Sequence, residues 1–326
     1  MRAMILAAGF GTRLFPLTID RTKPAIPFLG KPLVGYVAEY LAEYGFREIV
    51  VNLHHQPDSV IAALGNGEQF GVKIGYSIER PDILGTAGAL DHARELLGDS
   101  TFLTINGKLI TDIDLAAAIE THRRTNAIAT MVLKPNVHRE RFTEVHVENG
   151  RITGFGGMPE SIPPQFDDAP PYMFTGIQIL EPRVFDYIPH GVYSDIVPTF
   201  YRPAIESGEI IAAHVANGRW FELSTMKRYL DISMTMIGGG GTVAGIRTEI
   251  AEPNSVNDSV LWDNVTVEPG AKLGRTIVGD DVVIRSGMKF YDAAIVRAEM
   301  VRSCKEIPEK ADPGEFIGDL YVVPLR

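Results

Sequence analysis

Near its amino terminus the chain reads Met4-Ile5-Leu6-Ala7-Ala8-Gly9-Phe10-Gly11-Thr12-Arg13-Leu14-Phe15-Pro16-Leu17-Thr18, followed by Thr22-Lys23-Pro24-Ala25. An apolar strand opens here into residues without side chains, so backbone N–H groups can come close to a polyphosphate, and Arg13 and Lys23 add positive charge. That chemistry suits a nucleotide. Two commoner phosphate loops are excluded by position. A dinucleotide fingerprint beginning at Gly9 needs glycine at 14, where Leu14 stands, and a Walker A loop needs Gly-Lys-Ser/Thr. A bare Gly-x-Gly is more often a turn than a site; the two basic residues in this arrangement favour the site. Other chemistry-bearing residues offer less. His54 and His55 are adjacent at a strand end, where neighbours point to opposite sides, and no third ligand has recognisable spacing, so they read as satisfied loop histidines. No Gly-x-Ser-x-Gly elbow is present, and the single cysteine, Cys304, has no sequence-evident base. Met234 and Met236, beside Ile232 and Ile237, read as core.

The elements that must position this loop follow from apolar periodicity. Residues 2–8, 47–53, 72–78, 101–105 and 127–133 have the length of buried strands. Between them, 32–44 carries Leu33, Val37, Tyr40, Leu41 and Tyr44 on one helical stripe closed by Gly45, 86–97 ends likewise at Gly98, and 115–124 supplies a further helix. This cadence implies right-handed crossovers and a mostly parallel sheet covered on both faces. Such sheets bind ligands at the carboxyl ends of their strands, so chemistry is expected after Ala8, Leu53, Ile78 and Ile105. Beyond Pro135 the style changes. Strands at 142–147 and 151–155 flank Asn149-Gly150, a hairpin turn; 159–171 is a proline-rich loop; a strand at 174–180, a helix through 194–207, a strand at 210–215 and a helix from Thr225 complete an antiparallel extension of the first sheet.

Gly238–Gly241 is too costly in conformational entropy for a helix interior and reads as a linker. It divides the chain into 1–237 and 242–326, with 238–241 between them. After it the period changes. Leu261, Val267 and Leu273 are six apart; after a one-residue slip, Val278, Ile284, Phe290 and Val296 are again six apart. Val265, Ala271, Val282, Met288 and Ala294 precede them by two. This matches the hexapeptide β-helix repeat, in which each rung buries its apolar corner on the next. About two coils are present, and so short a stack needs capping or a partner.

The segment Leu6 to Pro32, with Gly9-Phe10-Gly11-Thr12-Arg13-Leu14, Lys23-Pro24 and Gly30-Lys31-Pro32, resembles the sugar-1-phosphate nucleotidyltransferases, the NDP-sugar pyrophosphorylases. The resemblance extends to Leu84-Gly85-Thr86-Ala87-Gly88-Ala89-Leu90, to Phe174-Thr175-Gly176-Ile177 and to the Trp220 region. Within the family it is greatest to bacterial mannose-1-phosphate guanylyltransferase-like and glucose-1-phosphate nucleotidyltransferase-like proteins. It implies a Rossmann-like mixed, mostly parallel sheet followed by a short left-handed β-helix, and a reaction joining an NTP to a hexose 1-phosphate with release of pyrophosphate and a requirement for magnesium. It further implies that Leu6, Ala7, Ala8, Gly9, Gly11, Thr12 and Arg13 hold the nucleotide, that Arg13 stabilises the departing pyrophosphate, and that Lys23 bridges the phosphates of nucleotide and sugar. Glu79, Gly85 and Thr86 would line the base pocket; Asn106, Gly107, Thr143 and Thr175 would border the sugar phosphate. Attack of one phosphate on another is governed by positioning and charge neutralisation, so cations are the expected catalysts.

The chain departs from this family at its metal positions. The two aspartates expected there are replaced in Asn106-Gly107-Lys108 and in Trp220-Phe221-Glu222-Leu223-Ser224-Thr225. Magnesium wants oxygen ligands in tight octahedral geometry, which an ammonium is not, and Glu222 carries its carboxylate one methylene further out. Phe142-Thr143 stands where the family has Tyr-Gly, and Gly157-Met158-Pro159 where it has Glu-Lys-Pro. Three readings of Lys108 stay open: its ammonium replaces the metal as a fixed charge beside Asp112 or Asp114; metal-dependent transfer is lost and the fold retains nucleotide or NDP-sugar binding or a regulatory role; or Lys108 faces solvent and Asp112 takes the metal. An acyltransferase, another home of hexapeptide repeats, is disfavoured because no histidine follows His214.

Composition bounds these readings. The 326 residues are ordinary globular material, 45% apolar and 22% charged, with a net charge of −10. That charge repels polyanions, so nucleic acid and acidic membrane surfaces are not expected partners and a phosphate site must be local. One cysteine excludes a disulfide framework and fits a reducing compartment. The apolar stretch before Gly9 is too short for a signal peptide and no run approaches a membrane span, so a cytoplasmic location is expected. The base, the sugar and the oligomeric state are not legible.

Overall fold

In a computed structural model of the chain, residues 1–156 and 169–326 are described. Gly157-Met158-Pro159 and most of the proline-rich loop lie outside the described residues. The chain divides into two compact units: Met1–Ala8, Val37–His54 and Leu64–Trp220 form one, and Gly9–Tyr36, His55–Ala63 and Phe221–Arg326 the other.

In the first unit, among the described residues, nine strands form one sheet: β1 (Arg2–Leu6), β2 (Glu48–Leu53), β3 (Lys73–Ile78), β4 (Phe102–Asn106), β5 (Ala129–Pro135), β6 (Glu144–Glu148), β7 (Arg151–Phe155), β8 (Tyr172–Leu180) and β9 (Ile211–Val215), in the spatial order β3-β2-β1-β4-β8-β5-β9-β7-β6. The four apolar runs read first are mutually parallel, and their register is level: Leu6 pairs with Asn52 on one side and Asn106 on the other, and Leu53 pairs with Ile78. Their carboxyl ends therefore lie along one edge. Helix Leu115–Thr125 starts where the Asp114 carboxylate accepts the Ala117 N–H at 3.1 Å and stops at Asn126, whose φ of 49° closes the last turn. Both faces of the sheet are covered by apolar side chains, with Met4, Phe102, Leu133, Leu180 and Phe200 in one continuous core.

Three features differ from the expectations. The antiparallel strand β8 is inserted between β4 and β5 and does not merely extend the sheet. Its run Tyr-Met-Phe-Thr-Gly-Ile-Gln-Ile-Leu is buried on both faces, and such a run reads alike whether its neighbours are parallel or antiparallel. The helix expected over 86–97 breaks at Ala93 into Gly85–His92 and Arg94–Leu97. The helix expected through 194–207 is confined to a π-turn at Val197–Tyr201 and a short helix at Arg202–Glu206, because residues 194–196 are used otherwise, as shown below. The Asn149-Gly150 hairpin is as expected, with φ of 49° and 73°.

In the second unit, beyond helix Met226–Met236, short strands stack in parallel with a constant offset. Thr242 pairs with Ser259, Thr276 with Ala293, Glu249 with Thr266, Thr266 with Val283, Val256 with Leu273 and Leu273 with Phe290, always 17 residues on. The repeat is thus two steps of six and one of five. Leu261, Val278 and Ile295 form one column, so the step after Phe290 is again five and lands on Ile295, where the sequence alone favoured Val296. Val265, Val267, Val282 and Ile284 fill the interior. Antiparallel strands Leu320–Pro324 and Glu315–Ile317 follow on the last parallel strand and cover that edge. The Gly238–Gly241 run lies inside this unit.

Candidate functional site

The level strand ends of the first unit are tied together by one buried polar chain. Asn52, at the end of β2, accepts the Ala7 N–H on Oδ1 at 2.8 Å and donates Nδ2 to Glu79 Oε1 at 2.7 Å. Glu79, just past β3, receives the Leu84 N–H on its other oxygen at 2.8 Å, while its own N–H donates to the Leu53 carbonyl. Glu79 is fully buried. Its carboxylate therefore sets the path of the chain into Leu84-Gly85-Thr86. Asn52 escaped the sequence reading, although an amide inside Val-Val-Asn-Leu is a detectable signal: a polar residue in a buried strand needs a specific partner.

Gly85 and Thr86 are shaped by the segment at 192–196. A Cβ at Gly85, which has φ +75°, would lie 2.6 Å from the Ser194 carbonyl oxygen, and one at Gly88 equally close to that of Val192. That close approach lets Ser194 O accept from Ala87 N at 2.8 Å and Gly88 N at 3.1 Å. Thr86 Oγ1 donates to Asp195 Oδ1 at 3.2 Å and accepts the Ile196 N–H at 2.8 Å, and Tyr193, 62% exposed, donates its hydroxyl to the other Asp195 oxygen. Asp195 and Tyr193 were not anticipated from the sequence.

At β4 the Asn106-Gly107-Lys108 turn is fixed by Gly107 N donating to Leu6 O at 2.9 Å. Gly176, φ +82°, makes room for the Asn106 amide, whose nitrogen a Cβ there would meet at 2.2 Å. The neighbouring Thr175 is buried, its hydroxyl donating to Val132 O and its carbonyl accepting Trp220 Nε1 at 2.8 Å. Thr143 is exposed beside Phe142, whose ring packs edge-on against Trp220. Lys108 is partly buried. Asp112 binds Arg219 through both oxygens, accepting the backbone N–H at 2.5 Å and Nε at 2.6 Å, and the guanidinium holds its carboxyl below the usual range.

The second unit contains the glycine loop. Gly11 has φ +66° and caps a 3₁₀ turn at Thr12–Leu14, with Leu14 N donating to Gly11 O. A Cβ on Gly11 would lie 3.2 Å from Lys23 Cβ, so the loop and the Lys23–Ala25 turn touch at the residue without a side chain. Lys23 is 7% exposed, whereas Gly9 and Arg13 are exposed. Phe10 packs on His55 with centroids 5.3 Å apart, and His54, in the first unit, lies 3.1 Å through Nδ1 from the Glu79 carbonyl; both histidines are held as loop residues. Glu222 is buried, its backbone carbonyl accepting Arg228 Nε at 3.1 Å. Cys304 donates to Met300 O.

The first unit holds an α/β sheet with level strand ends; the second holds a glycine loop, following β1 in the chain, with a buried lysine against it; each is a feature of nucleotide-handling α/β proteins. The nucleotidyl transferase family model matches residues 2–238, and the chain belongs to that family. It is similar to the UTP–glucose-1-phosphate uridylyltransferase of Synechocystis sp., 30% identical over 316 residues that cover 91% of this chain and 78% of the relative. It is 32% identical over 281 residues to the mannose-1-phosphate guanyltransferase of Aspergillus fumigatus, covering 84% and 74%. A solved structure from Bacillus anthracis, described as a glucose-1-phosphate thymidylyltransferase in complex with a sucrose, shares the fold with a TM-score of 0.61 at 23% identity, covering 72% of this chain and 94% of that one. Among the described residues no helix is long and apolar enough to cross a membrane.

Proposed function

We propose that this chain transfers a nucleotidyl group from a nucleoside triphosphate to a hexose 1-phosphate. A phosphate oxygen of the sugar attacks the α-phosphorus, the bond from that phosphorus to the bridging oxygen breaks, and pyrophosphate leaves with the bond's electron pair. The observation that carries the reading is the contact of Gly11 with the buried Lys23: a left-handed glycine turn is held against the stem of a lysine, a pairing suited to a triphosphate. Gly9, Gly11 and Thr12 offer backbone N–H groups, Arg13 neutralises the pyrophosphate and Lys23 the phosphates on either side of the reacting bond. Leu6, Ala7 and Ala8 carry the chain into that loop. Gly85 and Thr86 form the base-binding turn that Glu79 shapes from behind, and Asn106, Gly107 and Thr143 meet the sugar phosphate, with Thr175 holding the strand beneath them.

The donors present do not fit a resident magnesium ion. Lys108 puts an ammonium at the strand end where an oxygen donor is needed, and both oxygens of Asp112 are taken by Arg219. We therefore read Lys108 as a fixed cation at the strand end. Residues 242–326 we read as a short left-handed β-helix, supported by the constant 17-residue ladders, joined to a transferase domain at 1–237 and offering its coils to a second copy or a hetero-partner. The whole is read as a cytoplasmic metabolic enzyme.

The names of the relatives differ in base, uridylyl, guanyl and thymidylyl, so the base is left to experiment. Pyrophosphate release is measured for GTP, UTP, dTTP, ATP and CTP, each with glucose 1-phosphate or mannose 1-phosphate, with and without magnesium. The expected result is release that needs both substrates and falls by about 100-fold or more in Lys23→Met. Nucleotide or NDP-sugar binding by thermal shift without release by any pair replaces this reading with that of a binding or regulatory homologue. Absence of both removes the two readings together.

A further inference from the structure

We propose that Arg21 is a positioning residue through which the C-terminal parallel ladders hold the Lys23 turn in register for phosphate chemistry. The inference rests on the function proposed above. Arg21 stands two residues before Lys23, inside the same compact unit as the ladders. Its Nη2 donates to Asp280 Oδ2 at 2.5 Å, and its guanidinium lies 5.2 Å from the ring centroid of Trp262; both partners belong to the parallel coils. Asp280 is itself fixed, accepting the Asp263 N–H at 2.9 Å on its other oxygen. Asp20, on the loop side, takes two further guanidinium hydrogens, so Arg21 is locked at several points.

The other side of the Lys23 turn is held by the same wall. Trp262, 3% exposed, donates Nε1 to the Tyr229 hydroxyl at 3.1 Å, and that hydroxyl donates to the carbonyl of Pro27 at 2.6 Å. The turn Lys23–Ala25 is thus bracketed four residues after Lys23 as well as two before it, and one indole serves both brackets. Lys23 is 7% exposed and its Cβ and backbone nitrogen lie against Gly11, so the root of its side chain is placed by the backbone of the turn. A displacement of about 1 Å at a catalytic group costs on the order of 100-fold in rate. A multiply held guanidinium between the turn and the coils is the device that prevents it.

The test uses the full chain with Arg21→Met, Asp280→Asn, the double variant and the conservative Arg21→Lys. Two experiments are read: steady-state kinetics, giving kcat and KM for triphosphate and sugar 1-phosphate, and the rate at which Lys23 is reductively methylated, followed by mass spectrometry with exposed Lys31 as internal control. In each single variant kcat is expected to drop by about 10-fold or more, while KM changes less than about 3-fold. The double variant is expected to lose nothing further and Arg21→Lys to recover in part, and methylation of Lys23 to rise by about 5-fold or more while Lys31 is unchanged. Unchanged Lys23 methylation in Arg21→Met and Asp280→Asn overturns the inference, as does a kcat loss that is additive in the double variant. If the unmodified protein releases no pyrophosphate, the transferase reading fails, and Lys23 methylation alone decides whether Arg21 positions the turn.

Discussion

Glu79 accepts the Asn52 amide on one carboxylate oxygen and the Leu84 N–H on the other, and Asn52 in turn accepts the N–H of Ala7, so one carboxylate joins the ends of three adjacent parallel strands. Nothing in this chain can be reversed. Turning the Asn52 amide would face its NH₂ to the Ala7 N–H. Glu79→Gln replaces an acceptor with a donor facing either Asn52 Nδ2 or the Leu84 N–H, leaving a buried donor unsatisfied, a change worth about 1–3 kcal/mol. A fall of that size in the unfolding free energy from denaturant titration, with weakened nucleotide binding, is expected. Full retention of stability and binding in Glu79→Gln would show that the chain of three bonds is not what holds the edge.

Gly85 and Gly88 are required by the carbonyls of Ser194 and Val192, and Gly85 also by its positive φ. Gly85→Ala is expected to destabilise by about 1–3 kcal/mol from backbone strain alone, and further because Ser194 O must retreat from Ala87 N and Gly88 N. Gly88→Ala lacks the strain contribution and loses less. Equal thermal midpoints for the two variants would contradict this order.

The four parallel strands and the level edge were legible because their apolar runs have the right length and helical stripes lie between them. The central place of β8 was not, since burial on both faces removes the alternation that distinguishes neighbours. Similarly, the six-residue period found the ladders but not the second five-residue step, because Ile295 and Val296 are equally apolar and only stacking on Val278 chooses between them. In the proposed site, Gly11 and Lys23 were legible by type and spacing, and Asn106 entered only through the family resemblance. Asn52, Asp195 and Arg21 were not legible: each acts through a partner between 27 and 259 residues away, which no local pattern encodes.

His214, on β9, lies 2.9 Å through Nδ1 from Thr121 Oγ1, and burial lowers its pKa from the ordinary value near 6.5, with Asp114 opposing the shift. The folded state therefore binds this proton less readily than the unfolded chain. The stability linked to His214 is complete above about pH 6.5 and is lost as pH falls through the lowered folded value. His214→Gln should flatten that part of the stability–pH curve, between about pH 7 and 5. A variant whose curve runs parallel to that of the unmodified protein would assign the slope to other groups.

Lys108 in the Asn106-Gly107-Lys108 turn and Glu222 in place of a second aspartate lead to a prediction about metal dependence. With Asp112 committed to Arg219, turnover by the unmodified protein should be slow and change little on adding a chelator, and Lys108→Met should lower it by about 10²-fold through loss of a fixed charge. Lys108→Asp, alone or with Glu222→Asp, should raise magnesium-dependent turnover by supplying oxygen donors. Pyrophosphate release at ordinary enzyme rates by the unmodified protein, abolished by chelator, would be incompatible with the fixed-charge reading.

Gly9 and Gly11 sit two residues apart in the same loop, yet their substitutions should separate fold from function. No atom lies within 4 Å of a Cβ built on Gly9, and its φ is not in the left-handed region. Gly9→Ala should keep the thermal midpoint of the unmodified protein while raising KM for the triphosphate, since the added methyl occupies space that only a ligand would need. Gly11→Ala meets Lys23 Cβ at 3.2 Å and its backbone nitrogen at 3.3 Å in a φ of +66°, so it should lose stability by about 1–3 kcal/mol and displace Lys23 as well, lowering kcat. Thermal unfolding beside initial-rate kinetics distinguishes the two. If Gly9→Ala binds triphosphate as tightly as the unmodified protein, the phosphates do not pass over Gly9, and the loop serves as a turn that places Lys23.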